Sequence, residues 1–364
     1  MRPRLLLYGM YDPAAQDSAP KVRIRQMEKA LATVADVQTI SGARLSRAKA
    51  GVMWLAREGM GSVDAIYVES ASSAATPFDL ILLTWARLRR RRVGIYFRDA
   101  YQHFRRLYPR VRRRQALADL LWWLTTPVLR RLADVRYSPS DGLARVLKLD
   151  NAVLLPPGTD PDLPFLGPGD EPLVAAIVTF SASGGLGLLL DAMRLVRAVR
   201  PEVRLRIIAG RGGRPWALPD WVEVVASGRA DLPRLLASPR VCVLPLLITE
   251  YTDLAVPARL MDLLALGKPI VSTDSAGTRD VVGTSGAALL TKDRSDRLAA
   301  AIGRVLDDPD LAEHLARQAR ALAQSPERTW VSRAARVAET LLPSIGSTQP
   351  PAAESARAVH PDHG

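Results

Sequence analysis

The sequence predicts an α/β protein with two doubly wound, Rossmann-like domains. Two observations predict it. Apolar strand-like runs alternate with longer helical patterns, and this alternation stops at a Pro/Gly-rich stretch and then restarts. The length of 364 residues fits two domains. Ligands of open α/β sheets bind at the carboxyl ends of the strands, so two such sheets facing each other would share one cleft.

The first half contains six strand candidates: Arg4–Gly9, Val37–Ile40, Ala65–Val68, Val93–Phe97, Val135–Ser138 and Ala152–Leu155. Helical patterns lie between them over 22–35, 45–58, 78–90, 110–132 and 142–147. Parallel strands need such crossover segments, so the pattern indicates βαβ units.

The Pro/Gly-rich stretch 156–172 marks a linker. The second set of strand candidates is Leu173–Thr179, Arg204–Ala209, Val222–Val225, Val241–Pro245, Pro269–Ser272 and Ala287–Leu290. Helices are predicted over 187–199, 232–236, 258–266, 294–306, 309–323 and 327–342. We therefore expect a first domain over 1–160, a second over 161–326, a final helix over 327–342, and a disordered Ser/Pro/Ala/Gly-rich tail over 343–364.

Composition excludes several classes of protein. The single cysteine, Cys242, lies in an apolar run and forms no internal disulfide; we expect a buried strand residue. The four histidines show no metal-ligand spacing, so no metal site is predicted. No secretion signal or bilayer-length apolar run is visible, and a cytoplasmic location is expected.

Positive charge is concentrated in one part of the chain. The formal net charge is +13, and residues 87–148 hold 17 Arg or Lys against four acids. This block is typical of a surface that docks something anionic, such as membrane lipid, a phosphorylated acceptor or nucleic acid. The alternative is a general use of arginine as a surface residue.

The most informative segment is 249–271. A polar loop follows the strand Val241–Pro245, a helix begins near Pro257, and Gly267 ends it. The start of such a helix presents free N–H groups and partial positive charge, which suit a diphosphate. Arg259 in the first turn would add a charged contact to phosphate, and Asp262 could accept hydrogen bonds from a ribose diol.

This segment resembles the donor-binding motif of GT-B glycosyltransferases, especially the bacterial group 1, family 4-like enzymes. The matching positions are Pro257, Arg259, Asp262, Ala265, Gly267 and Pro269. Further similarity lies in 154–160, 138–140 and 204–210, and the resemblance covers about residues 1–342. It implies a nucleotide sugar held mainly by the second domain, a glycan or lipid-linked acceptor held by the first, a final helix containing Trp330 that crosses back to the first domain, and no cofactor.

The sequence departs from the family pattern in two places. Leu254 stands where the family has its first acid, and Glu250 and Asp253 are the nearest substitutes. We therefore assign Glu250 a catalytic role, and we assign donor binding to three residues of the same loop: Tyr251, Thr252 and Asp253.

The loop after the first strand of the second domain carries the other departure. The family usually has a basic residue there, and this chain has none in 181–187. Backbone N–H groups of Gly184 and Gly185 could hold phosphate instead, with Arg211 supplying the missing charge.

The first domain offers further candidates. Asp99, after the strand Val93–Phe97, is our candidate general base if the reaction inverts, as in inverting relatives that assemble exopolysaccharides. The alternative is that Asp99 caps the following helix. An unusually long first loop precedes three basic residues, Lys21, Arg23 and Arg25. One interpretation is that they contact the donor phosphate or an anionic acceptor. The other is that they form a solvated basic face.

Arginines precede Trp122 and Trp123 in the segment 104–132, a combination that suits contact with an anionic membrane. The alternative places these tryptophans in the core of a long helix.

We weigh four functions. Sugar transfer is favoured, followed by a non-catalytic GT-B partner or scaffold in polysaccharide assembly, and then by a sugar-nucleotide epimerase. Nucleic acid is not expected as a partner, because no recognised motif is present.

Overall fold

The computed structural model describes residues 2–342 except 13, 15–17, 110–112, 179, 181–182 and 210–217. The predicted tail over 343–364 and Arg211 lie outside the described residues. Within them the chain forms two six-stranded sheets in which all neighbouring strands are parallel. The predicted fold class is confirmed.

The first sheet has the strand order β2-β1-β3-β4-β5-β6. Its strands are β1 (Arg4–Gly9), β2 (Asp36–Ser41), β3 (Ala65–Glu69), β4 (Arg92–Tyr96), β5 (Val135–Ser138) and β6 (Val153–Leu154). Its helices are α1 (Ala19–Leu31), α2 (Arg44–Arg57), α3 (Pro77–Leu88), α4 (Arg113–Leu132) and α5 (Asp141–Val146). The strand order reverses between β1 and β3, and a ligand crevice forms at such a point.

The second sheet has the order β12-β11-β10-β7-β8-β9. Its strands are β7 (Glu171–Ile177), β8 (Arg204–Ala209), β9 (Val222–Ala226), β10 (Pro239–Leu244), β11 (Ile270–Thr273) and β12 (Leu289–Thr291). The helices that follow in the chain are α6 (Leu186–Val199), α7 (Leu232–Leu235), α8 (Ala258–Ala265), α9 (Ala276–Val282), α10 (Ser295–Asp307), α11 (Pro309–Gln324) and α12 (Trp330–Leu341). The order reverses between β7 and β10, as in dinucleotide-binding domains.

Apolar residues of both sheets are buried on both faces, as expected when helices cover a parallel sheet. Cys242 is one of them, and burial raises the pKa of its thiol to about 11.

A buried carboxylate, that of Asp79, connects two helices to the first sheet. Asp79, which with Thr76 forms the capping box of α3, binds the guanidinium of Arg47 at 2.8 Å and accepts a hydrogen bond from Tyr8 at 2.5 Å.

Helix α12 leaves the second sheet and packs on the first, as the resemblance implied. Trp330, Val337 and Leu341 belong to the same buried cluster as Leu5 of β1. Thr159, in the linker, and Thr329, just before α12, form an isolated parallel bridge where the two connections between the domains pass each other. We call the first sheet with α1–α5 and α12 the N-terminal domain, and the rest the C-terminal domain.

The structure differs from the sequence predictions mainly at element ends and in one helix. Strand and helix ends shift by a few residues, and α12 begins at Trp330 because Thr329 accepts the capping hydrogen bond from Ser332 N–H. Helix α9 was not predicted, because seven residues are too few for a clear helical period. None of the helices in the described ranges is long and apolar enough to cross a bilayer.

Candidate active site

A cavity of about 860 Å³ lies between the carboxyl edges of the two sheets. Side chains of both domains line it, including Asp99 after β4, Phe180 and Gly184 after β7, and Arg259 at the start of α8. Both edges are therefore exposed to one space, as the fold predicts. A ligand in this space can touch both domains at once.

The first turn of α8 faces the cavity. Pro257, Ala258, Arg259, Met261 and Asp262 all line it. Pro257 is the N-cap residue of α8, and no side-chain hydrogen bond caps this helix. The first N–H groups of the helix are therefore available to a ligand. Among the described residues, Arg259 forms no hydrogen bond or ion pair. The start of α8 therefore faces the cavity together with Arg259.

Asp262 is held by an arginine that the sequence analysis missed. Arg229 follows β9 and donates from Nε to Asp262 Oδ1 at 2.7 Å and from Nη2 to Asp160 Oδ2 at 3.2 Å. Burial disfavours the charge of Arg229, but the two carboxylates outweigh burial and raise the pKa of its guanidinium. Oδ1 of Asp262 is therefore engaged, whereas its Oδ2 has no hydrogen-bond partner among the described residues.

The turn between β7 and α6 is built on glycine. Gly184 lines the cavity, and Gly185 has φ +71° immediately before α6. A Cβ at Gly185 would lie 1.5 Å from the carbonyl oxygen of Pro245, so the turn touches the backbone that follows β10. The start of α6 thus lies beside the loop leading to α8, where the order of the second sheet reverses.

Asp99 lies across the cavity in the N-terminal domain. Its Oδ1 accepts a hydrogen bond from Tyr251 at 2.9 Å, and its Oδ2 accepts one from Ser72 Oγ. The alternative role of Asp99 as a helix cap is wrong. The following element is a 3-10 turn over Tyr101–His103, whose N-cap residue is Ala100 and which has no side-chain cap.

Tyr251 carries the C-terminal domain into contact with the N-terminal domain. Its ring packs against Tyr101, Phe104 and Tyr108 at centroid distances of 4.7, 5.4 and 5.6 Å. Burial, reinforced by the charge of Asp99, raises the pKa of its phenol, so Tyr251 is a neutral hydrogen-bond donor to Asp99. The loop between β10 and α8 thereby reaches the candidate base.

Three other predicted residues of that loop have different surroundings. Thr252 lines the cavity, and its Oγ1 accepts from Thr249 N–H at 2.8 Å. Asp253 does not line the cavity; its carboxylate accepts from the N–H of Ala276 at 2.7 Å at the start of α9. Glu250 is exposed and lies outside the cavity lining.

The three basic candidates that follow the first loop also have different surroundings. Arg23 is 4% exposed, lines the cavity and donates from Nε to both oxygens of Glu69 at 2.9 and 3.1 Å. Arg25 is exposed and pairs with Glu28 at 2.7 Å, while Lys21 is absent from the cavity lining. Of the three, the structure brings only Arg23 to the cavity.

Sequence reasoning missed Arg98, Ser72 and Arg229. Arg98 and Arg229 each follow a strand at its carboxyl end, which is the ligand edge of a parallel sheet, so position alone could have marked them. Ser72 gave no such signal, because its contact with Asp99 depends on how two loops meet. Among the described residues, no group of three or more His, Cys, Asp or Glu could hold a metal ion.

Two six-stranded parallel sheets sharing a cleft, with a helix that crosses back, define the GT-B fold. The structure of sucrose-phosphate synthase from Thermosynechococcus elongatus has a TM-score of 0.68 at 18% identity, covering 93% of this chain and 98% of that chain. The Anabaena HepE complex with UDP and glucose also has a TM-score of 0.68, at 17% identity, with 93% and 99% covered. A glycosyltransferase from Rickettsia africae has a TM-score of 0.63 at 12% identity, with 93% and 99% covered.

Sequence comparison adds the family. Residues 171–308, which contain the α8 motif, match the family of glycosyl transferases group 1, whereas no curated protein sequence matches the chain significantly. The chain therefore has the GT-B fold, and its part over 171–308 is similar to the group 1 glycosyl transferases. Over those residues the match bears out the resemblance seen in the α8 motif.

Proposed function

We propose that this glycosyltransferase moves a sugar from a nucleotide-diphosphate donor, bound by the C-terminal domain, to an acceptor hydroxyl bound by the N-terminal domain. The observation that carries the proposal is the single cavity lined by the uncapped start of α8 on one wall and by Asp99 on the other. A two-substrate transfer needs both reactants in one space from which water is excluded, and a cleft between two domains provides it.

On the donor side, the N–H groups at the start of α8, the backbone at Gly184 and the guanidinium of Arg259 would bind the diphosphate. Asp262, oriented by Arg229, would accept from the ribose. These groups neutralise a leaving diphosphate without a metal, so we propose metal-independent transfer. Structures of HepE contain UDP and UDP-glucose, which supports a nucleotide sugar as the donor here.

On the acceptor side, we propose Asp99 as the general base of an inverting reaction. Its carboxylate takes the proton of the acceptor hydroxyl while that oxygen bonds to the anomeric carbon and the bond to the diphosphate breaks. Tyr251 and Ser72 fix the orientation of Asp99. Because Glu250 is outside the cavity, it is the weaker of the two catalytic candidates.

We propose that the acceptor is lipid-linked and that α4 contacts an anionic membrane. One face of α4 presents an apolar stripe at helical spacing, between 36% and 60% exposed. The stripe consists of Leu117, Leu120, Leu121, Leu124 and Val128. An apolar helix face in solvent is typical of a docking surface.

Charge indicates which surface the stripe would meet. Exposed Arg113 and Arg114 lie at one end of α4 and exposed Arg131 at the other, while its one acid, Asp119, is buried. Arginines beside a leucine stripe suit an anionic lipid surface. Trp122 is buried and Trp123 is partly exposed, and both rings pack on His103, at centroid distances of 5.8 and 4.6 Å. The neighbour Tyr101 lines the cavity, so the stripe lies close to the acceptor wall.

Nucleotide binding tests the transferase proposal. UDP-, GDP- and dTDP-sugars are screened for a rise in the unfolding temperature; a ligand at 100 times its Kd should stabilise the fold by about 2.7 kcal/mol. Arg259→Gln should weaken binding about tenfold or more, since a charge-assisted hydrogen bond is lost. The control is Arg279→Gln, whose guanidinium is exposed and pairs with Asp274. If no donor shifts the unfolding temperature, the chain is a non-catalytic GT-B protein instead.

Vesicle flotation tests the membrane proposal. We expect the protein to bind phosphatidylglycerol vesicles and not phosphatidylcholine vesicles, and the double variant Leu121→Gln and Leu124→Gln to abolish binding. Val331→Gln is the control, because the exposed fraction of Val331 lies between those of Leu121 and Leu124 but Val331 belongs to α12. Vesicle binding that survives the double variant contradicts the proposal, as does concentration-dependent dimerisation that the variant abolishes, because the stripe would then be an interface between two copies.

A further inference from the structure

Arg98 is a buried cation whose hydrogen bonds are incomplete. It follows β4, its side chain is only 10% exposed, and it lines the cavity. Among the described residues, neither its Nε nor its Nη2 has a hydrogen-bond partner. The nearest carboxylate oxygen is Glu69 Oε2, 3.6 Å from Nη2, which is an ion pair but too long for a hydrogen bond. A buried guanidinium in this state is costly unless something else pairs with it.

Glu69 cannot be that partner in full, because other groups occupy it. Arg23 donates to both of its oxygens, and Tyr67 donates to Oε1 at 2.7 Å. Arg23 also stacks on the ring of Tyr96 at 3.6 Å and is locked in place. One buried carboxylate thus serves two buried guanidinium groups.

A third arginine increases the excess of positive charge. Burial, together with the charges of Arg23 and Arg328, lowers the pKa of Arg333, on α12, to about 10. Its Nε also has no hydrogen-bond partner in the described part of the chain. We call Arg23, Arg98 and Arg333 the arginine cluster. Glu327 offsets part of this positive charge and Arg328 adds to it. Within the arginine cluster, Glu69 is the carboxylate that pairs with both Arg23 and Arg98.

We propose that Arg98 binds an oxyanion of the phosphate class carried by the acceptor, so that the substrate receiving the sugar is a phosphorylated molecule. Arg98 lines the cavity, and its Nε and Nη2 have no hydrogen-bond partner among the described residues, so a ligand in the cavity can supply the missing negative charge. This proposal rests on the proposed function, because it is the transferase reaction that provides an acceptor.

The position of Arg98 favours the acceptor over the donor as the source of this phosphate. The donor diphosphate has its own groups, Arg259 and the backbone at Gly184, on the C-terminal wall. Arg98 belongs to the N-terminal wall and is adjacent in sequence to Asp99, the group that must meet the acceptor hydroxyl. A phosphate on Arg98 would therefore lie next to the reacting end of the acceptor.

The test uses inorganic phosphate as the probe, titrated calorimetrically into the full chain with and without saturating UDP. We expect wild type to bind phosphate in both conditions and Arg98→Gln to bind it about tenfold more weakly or worse, as for a lost charged hydrogen bond. Arg98→Lys keeps the positive charge but loses the two-pronged guanidinium, so its affinity for phosphate should be intermediate. Arg105→Gln is the matched control, since it removes an exposed arginine of the same domain outside the cavity.

The possible results distinguish an acceptor phosphate at Arg98 from a donor phosphate and from the absence of an anion site. If Arg98→Gln binds phosphate as wild type does, or wild type binds none, the proposal is overturned. If Arg98→Gln instead weakens UDP as Arg259→Gln does, the anion belongs to the donor and the acceptor assignment is wrong. If Arg98 binds phosphate but the protein binds no nucleotide, the anion site at Arg98 is supported and the proposed transferase function is contradicted.

Stability provides a readout that a merely structural arginine would not give. Because Arg98 is an incompletely paired buried charge, Arg98→Gln should leave the unfolding temperature of the ligand-free protein unchanged or raise it. The same variant should lose the stabilisation that phosphate gives to wild type. A clear fall in the ligand-free unfolding temperature would show that Glu69 requires Arg98, and it would overturn the proposal.

Discussion

Substituting Gly185 by alanine should damage both the stability and the proposed nucleotide site of the C-terminal domain. Gly185 has φ +71°, and its Cβ position lies 1.5 Å from the carbonyl oxygen of Pro245. These two segments follow β7 and β10, the strands between which the order of the second sheet reverses. The substitution therefore acts on the edge where a ligand of this fold binds.

The size of the effect follows from this geometry. Real Cβ contacts do not fall below 3.0 Å, so the two segments must separate by 3.0 − 1.5 = 1.5 Å at least. The left-handed backbone costs an alanine about 1–2 kcal/mol. Forcing extra volume into a packed site costs about 1–3 kcal/mol more. We expect Gly185→Ala to lower the free energy of unfolding by about 2–5 kcal/mol.

Gly187, two residues further on, provides the control. It is exposed in the first turn of α6, and nothing lies within 4 Å of its Cβ position. Gly187→Ala should stabilise the protein by up to about 1 kcal/mol, because alanine is the better helix residue. Urea unfolding followed by circular dichroism, with UDP titrations of both variants, measures the difference. Equal unfolding midpoints, or an unchanged UDP affinity in Gly185→Ala, would refute the reasoning.

Three further predictions concern charged groups. Asp79→Ala should destabilise the N-terminal domain by about 3–5 kcal/mol, measured by urea unfolding, because it leaves Arg47 buried without its carboxylate. Burial, followed by the charge of Lys148, lowers the pKa of His103. The unfolded chain thus binds that proton more readily, so the unfolding temperature should fall as pH drops through about 6.5, and His103→Gln should reduce this slope. Arg229→Met should cost about 2–3 kcal/mol in urea unfolding and weaken UDP binding, because it removes the donor that orients Asp262; an unchanged UDP affinity would argue against Asp262 as a ribose ligand.

The sequence predicted the fold well because strand and helix periods are local properties. Every strand of the two sheets had a matching apolar run, and the helix begun by Pro257 and ended by Gly267 faces the cavity with Arg259 at its start. The resemblance to the family predicted that the last helix crosses back to the first domain, which periodicity alone would not indicate. The seven-residue helix α9 was too short to give a period.

The site was less predictable, because its contacts join segments far apart in sequence. Asp99 was recognised by its position after a strand, but its partners Tyr251 and Ser72 come from other loops. Arg23 was a candidate either for contact with a phosphate or an anionic acceptor, or for a solvated basic face. It is instead buried and paired with Glu69 on β3, and no spacing in the sequence indicates that contact. Arg98 lines the cavity with two guanidinium nitrogens that have no hydrogen-bond partner among the described residues, and only the three-dimensional contacts reveal this.

The return of α12 makes the N-terminal domain discontinuous in sequence. A chimera that exchanges C-terminal domains by one cut near residue 160 would remove Trp330, Val337 and Leu341 from the core of the N-terminal domain. The exchangeable unit is instead an insertion, bounded by Thr159 on one side and Thr329 on the other, where the two crossings run side by side. A swap of C-terminal domains therefore preserves the buried core of the host only if it replaces both junctions together and keeps the host's own terminal helix.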